Sequence, residues 1–107
     1  MSERAHRLRQ ALVTRIVSGP SQASVDARRA AFDCQAHDPR TDALVARVAE
    51  HAWTVGDTDV AHPLSAGVSE DHVFEIVVCA AVGQSTRQLE TALTALDEAA
   101  SGGEQPS

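Results

Sequence analysis

Apolar residues recur along this chain at steps of three and four, the period that lays a stripe along one face of a helix. Ala5, Leu8, Leu12 and Ile16 form the first stripe, from a start near Ser2 to a stop at Gly19 and Pro20. Ser24 can cap a second, weakly patterned helix through about Gln35, with Val25, Ala31, Phe32 and Cys34 available for burial. Asp38 followed by Pro39 predicts the start of a third helix, because the carboxylate accepts from open backbone amides and Pro lacks the amide that would go unpaired. Its stripe is Leu44, Val48, Ala52 and Val55, with Gly56 placed to end it in a left-handed conformation.

Asp57, Thr58 and Asp59 offer caps for a fourth helix, which Pro63 should keep brief or distorted by removing a donor and crowding the carbonyl four residues earlier. Ser69, with Glu70 and Asp71 behind it, opens a fifth helix with negative charge at the positive end of its dipole. From Phe74 to Val82 the residues are apolar nearly all round except Glu75, the pattern of a central buried helix. The β-branched residues of EIVVCAAV would also suit a strand, but the upstream cap and the length of the segment favour a helix. Gly83 to Ser85 predicts a bend, a sixth helix carries Leu89, Leu93 and Leu96 to about Ala100, and SGGEQPS (101–107) reads as a disordered tail. The expected architecture is all-α: one domain over 1–100, with 1–37 an N-terminal helical extension and 38–100 the core.

Composition sharpens this picture. With 107 residues, 43% hydrophobic but only 3% aromatic, the core must come from Ala, Val and Leu, which suits closely packed helices. A chain this short buries a modest share of its surface, so self-association is expected. All nine positive charges are Arg, a bias of G- and C-rich coding with no mechanistic weight. A net charge of −6 lacks the positive field that nucleic acid or anionic lipid requires. The charge is uneven: Arg4, Arg7, Arg9, Arg15, Arg28 and Arg29 face only Glu3 and Asp26, so six against two leave +4 over the first 29 residues. That face is expected to be solvated or to dock on the acidic second half of a neighbouring copy. MSERAHRLRQ has no apolar leader core and no apolar run reaches span length, so a cytoplasmic protein without membrane contact is expected.

Cys34 and Cys79 form no CxxC and read as reduced, buried small hydrophobes. Cys34 and His37 make CxxH, but the second half-motif of a zinc site is missing, and GDTDV lacks the Gly and Glu of a calcium loop. No phosphate loop, nucleophile elbow or dinucleotide fingerprint is present. Neither a metal nor a cofactor is therefore predicted. HAWTVGDTDVAHPLSAG, residues 51 to 67, gathers His51, Asp57, Asp59, His62 and Trp53. Asp57 and Asp59 read first as caps, His62 as a surface turn residue and His72 as exposed in a capped first turn; Trp53 suits a core plug or a subunit contact equally.

The segment GVSEDHVFEIVVCAAVGQSTRQLETALTALDEA, residues 67 to 99, resembles the carboxymuconolactone decarboxylase and alkylhydroperoxidase D family. The likeness rests on Ala66 and Gly67, the capped acidic start Ser69, Glu70 and Asp71, Phe74 with Glu75, and the apolar helix up to Gly83; it runs from about Pro39 to Ala99. It implies an alkylhydroperoxidase D-like helical bundle, here with two added N-terminal helices, and a homo-oligomer that buries apolar helix faces between chains. Redox members carry CxxC and a following His upstream of the Ala-Gly step, with a Glu about three helical turns earlier. Anchoring on Ala66 and Gly67 puts those thiols at Ala52 and Val55, the His at Asp59 and the Glu near Arg40, and no Cys lies between Gln35 and Val78. Peroxide reduction needs an attacking thiolate and a resolving thiol, which methyl groups cannot supply. The resemblance thus implies a thiol-free small-molecule-binding or assembly subunit. The alternative is a thiol-independent enzyme moving a proton or decarboxylating a small organic acid or lactone, with His51, which adjoins the first lost thiol, as base and Glu50 or Asp59 assisting.

Overall fold

The computed structural model describes residues 3–19 and 21–103, and among these residues it is all-helical, with no strand. Helix α1 spans Glu3–Ser18, α2 Val25–Phe32, α3 Asp42–His51, α4 Asp57–Ser65 and α5 Glu70–Gly103; a single 3-10 turn, Ala52–Thr54, joins α3 to α4. Both α2 and α3 pack on α5. Their shared core is aliphatic and small: Ala23, Ala27 and Ala31 from α2 and its approach, Leu44, Val45 and Val48 from α3, and Val73, Ile76, Cys79 and Ala80 from α5. Alanines on α2 let its backbone come close to α5, as an aromatic-poor composition requires.

The helix ends follow local chemistry, though not always at the expected residue. Ser24 Oγ accepts from the Ala27 amide (3.0 Å) and Ser69 Oγ from the His72 amide (3.1 Å), so both serines cap as their sequence contexts predict. Helix α2 stops at Phe32, short of Gln35. There Cys34 turns left-handed (φ 54°), and the Cys34 and Gln35 amides close on the carbonyls of Ala31 and Ala30. Gly67 (φ 94°) ends α4 in the same way, with Val68 N donating to Pro63 O. Pro63 is fully buried and α4 continues two residues beyond it, for nine residues in all.

Other expectations need correction. Helix α3 begins at Asp42, because Arg40 captures the Asp38 carboxylate and Asp38 to Thr41 form a turn instead. Gly56 is extended (φ −131°, ψ −176°) and precedes α4; it does not cap α3 in a left-handed conformation. The α1 stripe is not buried: Leu12 is 58% exposed and Ile16 half-buried, while the buried position is Val17; Ser2 and the side chains of Ala5 and Leu8 lie outside the description. Val25 is exposed as well. Helix α5 buries one face only, leaving Phe74 68% exposed. The expected break at Gly83 to Ser85 is absent, and the helix includes Ser101 to Gly103; residues 104–107 lie outside the description.

Gly83 is a packing residue, not a breaker. A Cβ there would collide with the Phe32 carbonyl, so its bare backbone lets the end of α2 lie directly on α5. One turn on, Arg87 Nη1 donates to that same carbonyl at 2.6 Å, satisfying an acceptor the helix end leaves open. A second tie joins α5 to the segment before α2. Glu75 accepts from the amides of Gln22 (3.0 Å) and Ala23 (2.7 Å). Burial pushes its carboxyl up, but the Ser21 hydroxyl, those two amides and the charge of Arg28 outweigh burial and hold it below its ordinary value. Arg28, expected on a solvated or docking face, is in fact only 3% exposed. Its Nε donates to Ala23 O (3.2 Å) and its Nη1 to Ile16 O (3.0 Å), a carbonyl at the open end of α1.

Candidate functional site

The residues expected to carry chemistry fall on the turn between α3 and α4. His51 leaves the helical conformation (φ −146°, ψ 62°), which turns the chain out of α3 into the 3-10 turn. Its imidazole is exposed and meets the edge of the Trp53 ring, centroids 5.3 Å apart at 76°. Trp53 is 82% exposed, so it plugs no core within this chain. Glu50 is exposed too. Asp59 Oδ2 accepts from the Gly56 amide (3.0 Å), and Oδ1 sits 3.5 Å from Arg47 Nε. That carboxylate fixes the start of α4, and no hydrogen bond joins His51 to Glu50 or Asp59 among the described residues. Ala52 is exposed and Val55 half-buried against the core, so the positions the resemblance gives to thiols hold aliphatic groups in this turn.

A more enclosed site lies elsewhere. Between α2, the 33–41 segment, α3 and α5 is a cleft of about 340 Å³. Ala27, Ala31, Val45 and Ile76 form an apolar floor, and Gln35, His37, Arg40 and His72 stand around it. His72 is half-buried on this cleft and not exposed as its place in a first turn suggests. Arg40 reaches both oxygens of Asp38, through Nη2 at 2.8 Å and Nε at 3.1 and 3.2 Å. That side-chain bond, the Arg40 amide and its charge outweigh desolvation and hold the Asp38 carboxyl at about 2. The Asp42 carboxylate accepts from the amides of His37 and Asp38, fixing the segment that carries His37.

Comparison with protein-family models, with curated proteins and with solved structures finds no match to this chain.

Both cysteines are free thiols. Cys79 is 1% exposed; burial pushes its thiol up, Arg28 opposes this and Glu75 reinforces it, so it is poorly suited to nucleophilic work. Cys34 is half-buried at the end of α2. Among the described residues no three His, Cys, Asp or Glu side chains gather as a metal site, and no helix is long and apolar enough to cross a membrane. The cleft offers apolar contact with imidazole and amide hydrogen bonds at its rim, an arrangement for holding a small molecule. Sequence reasoning missed this cleft because His37 and His72 lie 35 positions apart. It also missed the Arg28 and Glu75 ties, for which a signal existed: a lone Glu within an apolar helical run needs a partner.

Proposed function

We propose that this chain is a carboxymuconolactone decarboxylase or alkylhydroperoxidase D-like protein without redox thiols, acting as a small-molecule-binding or assembly subunit in a homo-oligomer. The observation that carries the reading is an unpartnered apolar surface along α1 and the distal part of α5. Leu12, Val13, Ala81, Val82 and Leu89 line a groove of about 260 Å³, and the stripe continues through Leu93 to Leu96, which is 65% exposed. The radius of gyration is 16.8 Å and the longest dimension 60 Å. A compact chain of this length would have a radius near 13 Å. Charges complement the stripe: Arg7 on α1 matches Glu90, Asp97 and Glu98 on distal α5, so α1 of one copy suits the distal α5 of another. The cleft beside His37 and His72 supplies the binding half of the proposal. The alternative of an enzyme based on His51 draws no support from an exposed imidazole whose described ring contact is Trp53.

Light scattering on the full chain tests assembly. The expected mass is a multiple of 11.3 kDa, and Leu93→Asp with Leu96→Asp should reduce it to one chain without loss of helicity. A monomer at concentrations near 100 µM, well above the Kd of a stable homo-oligomer, would sink the assembly reading. Peroxide turnover with a dithiol donor is expected to be nil, and robust turnover would contradict the thiol-free reading.

A further inference from the structure

A second cavity, of about 240 Å³, lies between the last turn of α1, Ser21 and α5, apart from the histidine-rimmed cleft. Ile16, Phe74 and Val78 give it apolar walls, and Arg15, Arg28 and Glu75 line it as well. We propose that it binds a small organic monoanion, a carboxylate with a short apolar tail, with the oxygens on Arg28 and Arg15 and the tail against Ile16, Phe74 and Val78.

The argument begins with charge in a buried place. A guanidinium carries five N–H donors and cannot shed its proton. Of the five on Arg28, two have acceptors among the described residues, both neutral carbonyls. No carboxylate stands within 4.0 Å of Arg28 or of Arg15 among the described ion pairs. A charge 97% removed from water is ordinarily paired, because two carbonyl dipoles replace only part of its hydration. The neighbouring acid, Glu75, is already committed: its two oxygens receive the backbone amides of Gln22 and Ala23. Two guanidinium groups therefore line the cavity with one engaged carboxylate, and the local excess is a single positive charge.

That excess sets the ligand class. A monoanion neutralises it, and guanidinium forks suit the geometry of a carboxylate. A dianion such as phosphate would overshoot the charge, face Glu75 and place no apolar group on Phe74, whose 68% exposed ring is otherwise left in water. A neutral ligand could accept from Arg28 but would leave the positive charge unbalanced. The site goes beyond the assembly reading and uses different residues from the leucine stripe.

Calorimetric titration of the full chain with benzoate, and separately with its neutral isostere benzamide, tests the proposal. Benzoate should saturate one site per chain in the millimolar range or tighter, and benzamide should not. Arg15→Gln and Phe74→Ala both alter exposed side chains and should keep native helicity, while weakening benzoate by about tenfold or more. Arg28→Lys keeps the charge without the fork and should weaken it too, if that chain folds. The proposal is overturned if benzoate shows no saturable binding up to about 10 mM, if benzamide binds equally, or if the two exposed variants leave affinity unchanged. Loss of oligomerisation in the leucine variants with benzoate binding intact would support it and separate it from the assembly reading.

Discussion

The two ends of α5 are one continuous helix and yet different physical objects. From Val73 to Gly83 its inner face is sealed against α2 and α3, with Ile76 at 2% exposure and Ala80 at 0%. From Leu89 onward the best-covered side chains, Leu89 and Leu93, are only half-buried and Leu96 is mostly exposed. At 34 residues the helix is about 51 Å long, more than its partners can cover. The proximal half is held by packing, and the distal half by intrinsic propensity, since Ala, Leu and Glu dominate there. An isolated helix of about 15 residues is marginal in water, so the distal stripe is the part of α5 that the proposed assembly would cover.

Substitutions can break or sharpen that contrast. Ile76→Ala, in the sealed half, is expected to cost about 4 kcal/mol in urea unfolding, transfer and cavity terms together. Gly83→Ala should follow at about 3 kcal/mol, because the added methyl meets the backbone carbonyl of Phe32, which cannot rotate away. Equal stability to wild type would show that α2 does not sit on α5 as described.

Glu75→Gln should lose about 1.5 kcal/mol at neutral pH through weakened charge-assisted bonds. Its pH dependence is the sharper readout. The folded carboxyl lies below its ordinary 4.5, so its stabilisation is complete above that value and is lost as pH falls through the folded pKa. The variant should therefore show a flatter acid limb below about pH 4.5. Asp38→Asn should act similarly but more weakly, by at most about 1 kcal/mol, since Arg40 is largely in water. Its window lies between the ordinary 3.8 and the folded value of about 2. Smallest of all, Leu96→Ala should change unfolding of the dilute monomer by no more than about 0.5 kcal/mol. A loss comparable to Ile76→Ala in that monomer would erase the distinction between the two halves.

Parts of this fold were legible in advance. Caps such as Ser24 and Ser69 act within three residues, and the helical period is local, so the helical class and most of the helix starts could be read along the chain. Gly83 could not: the same glycine that permits a bend also permits a close approach, and only the position of Phe32 decides between them. Arg28 failed for a related reason, because an arginine in an amphipathic helix reads as solvated until the end of α1 is seen to cover it. For the candidate site, the sequence drew attention to His51, Glu50 and Asp59 through their nearness in the chain. The fold commits Asp59 to α4 and instead brings together His37 and His72.

The sequence by itself determined that this protein is built of helices, where most of them begin, and that no CxxC pair stands ahead of α5, because each of these depends on residues a few positions apart. Only the tertiary structure decided that α5 runs unbroken through Gly83, that Arg28 is buried beside Glu75, and which histidines share a cleft. Those outcomes depend on which distant backbone and side-chain groups exclude water from one another, a relation between elements that no local pattern encodes.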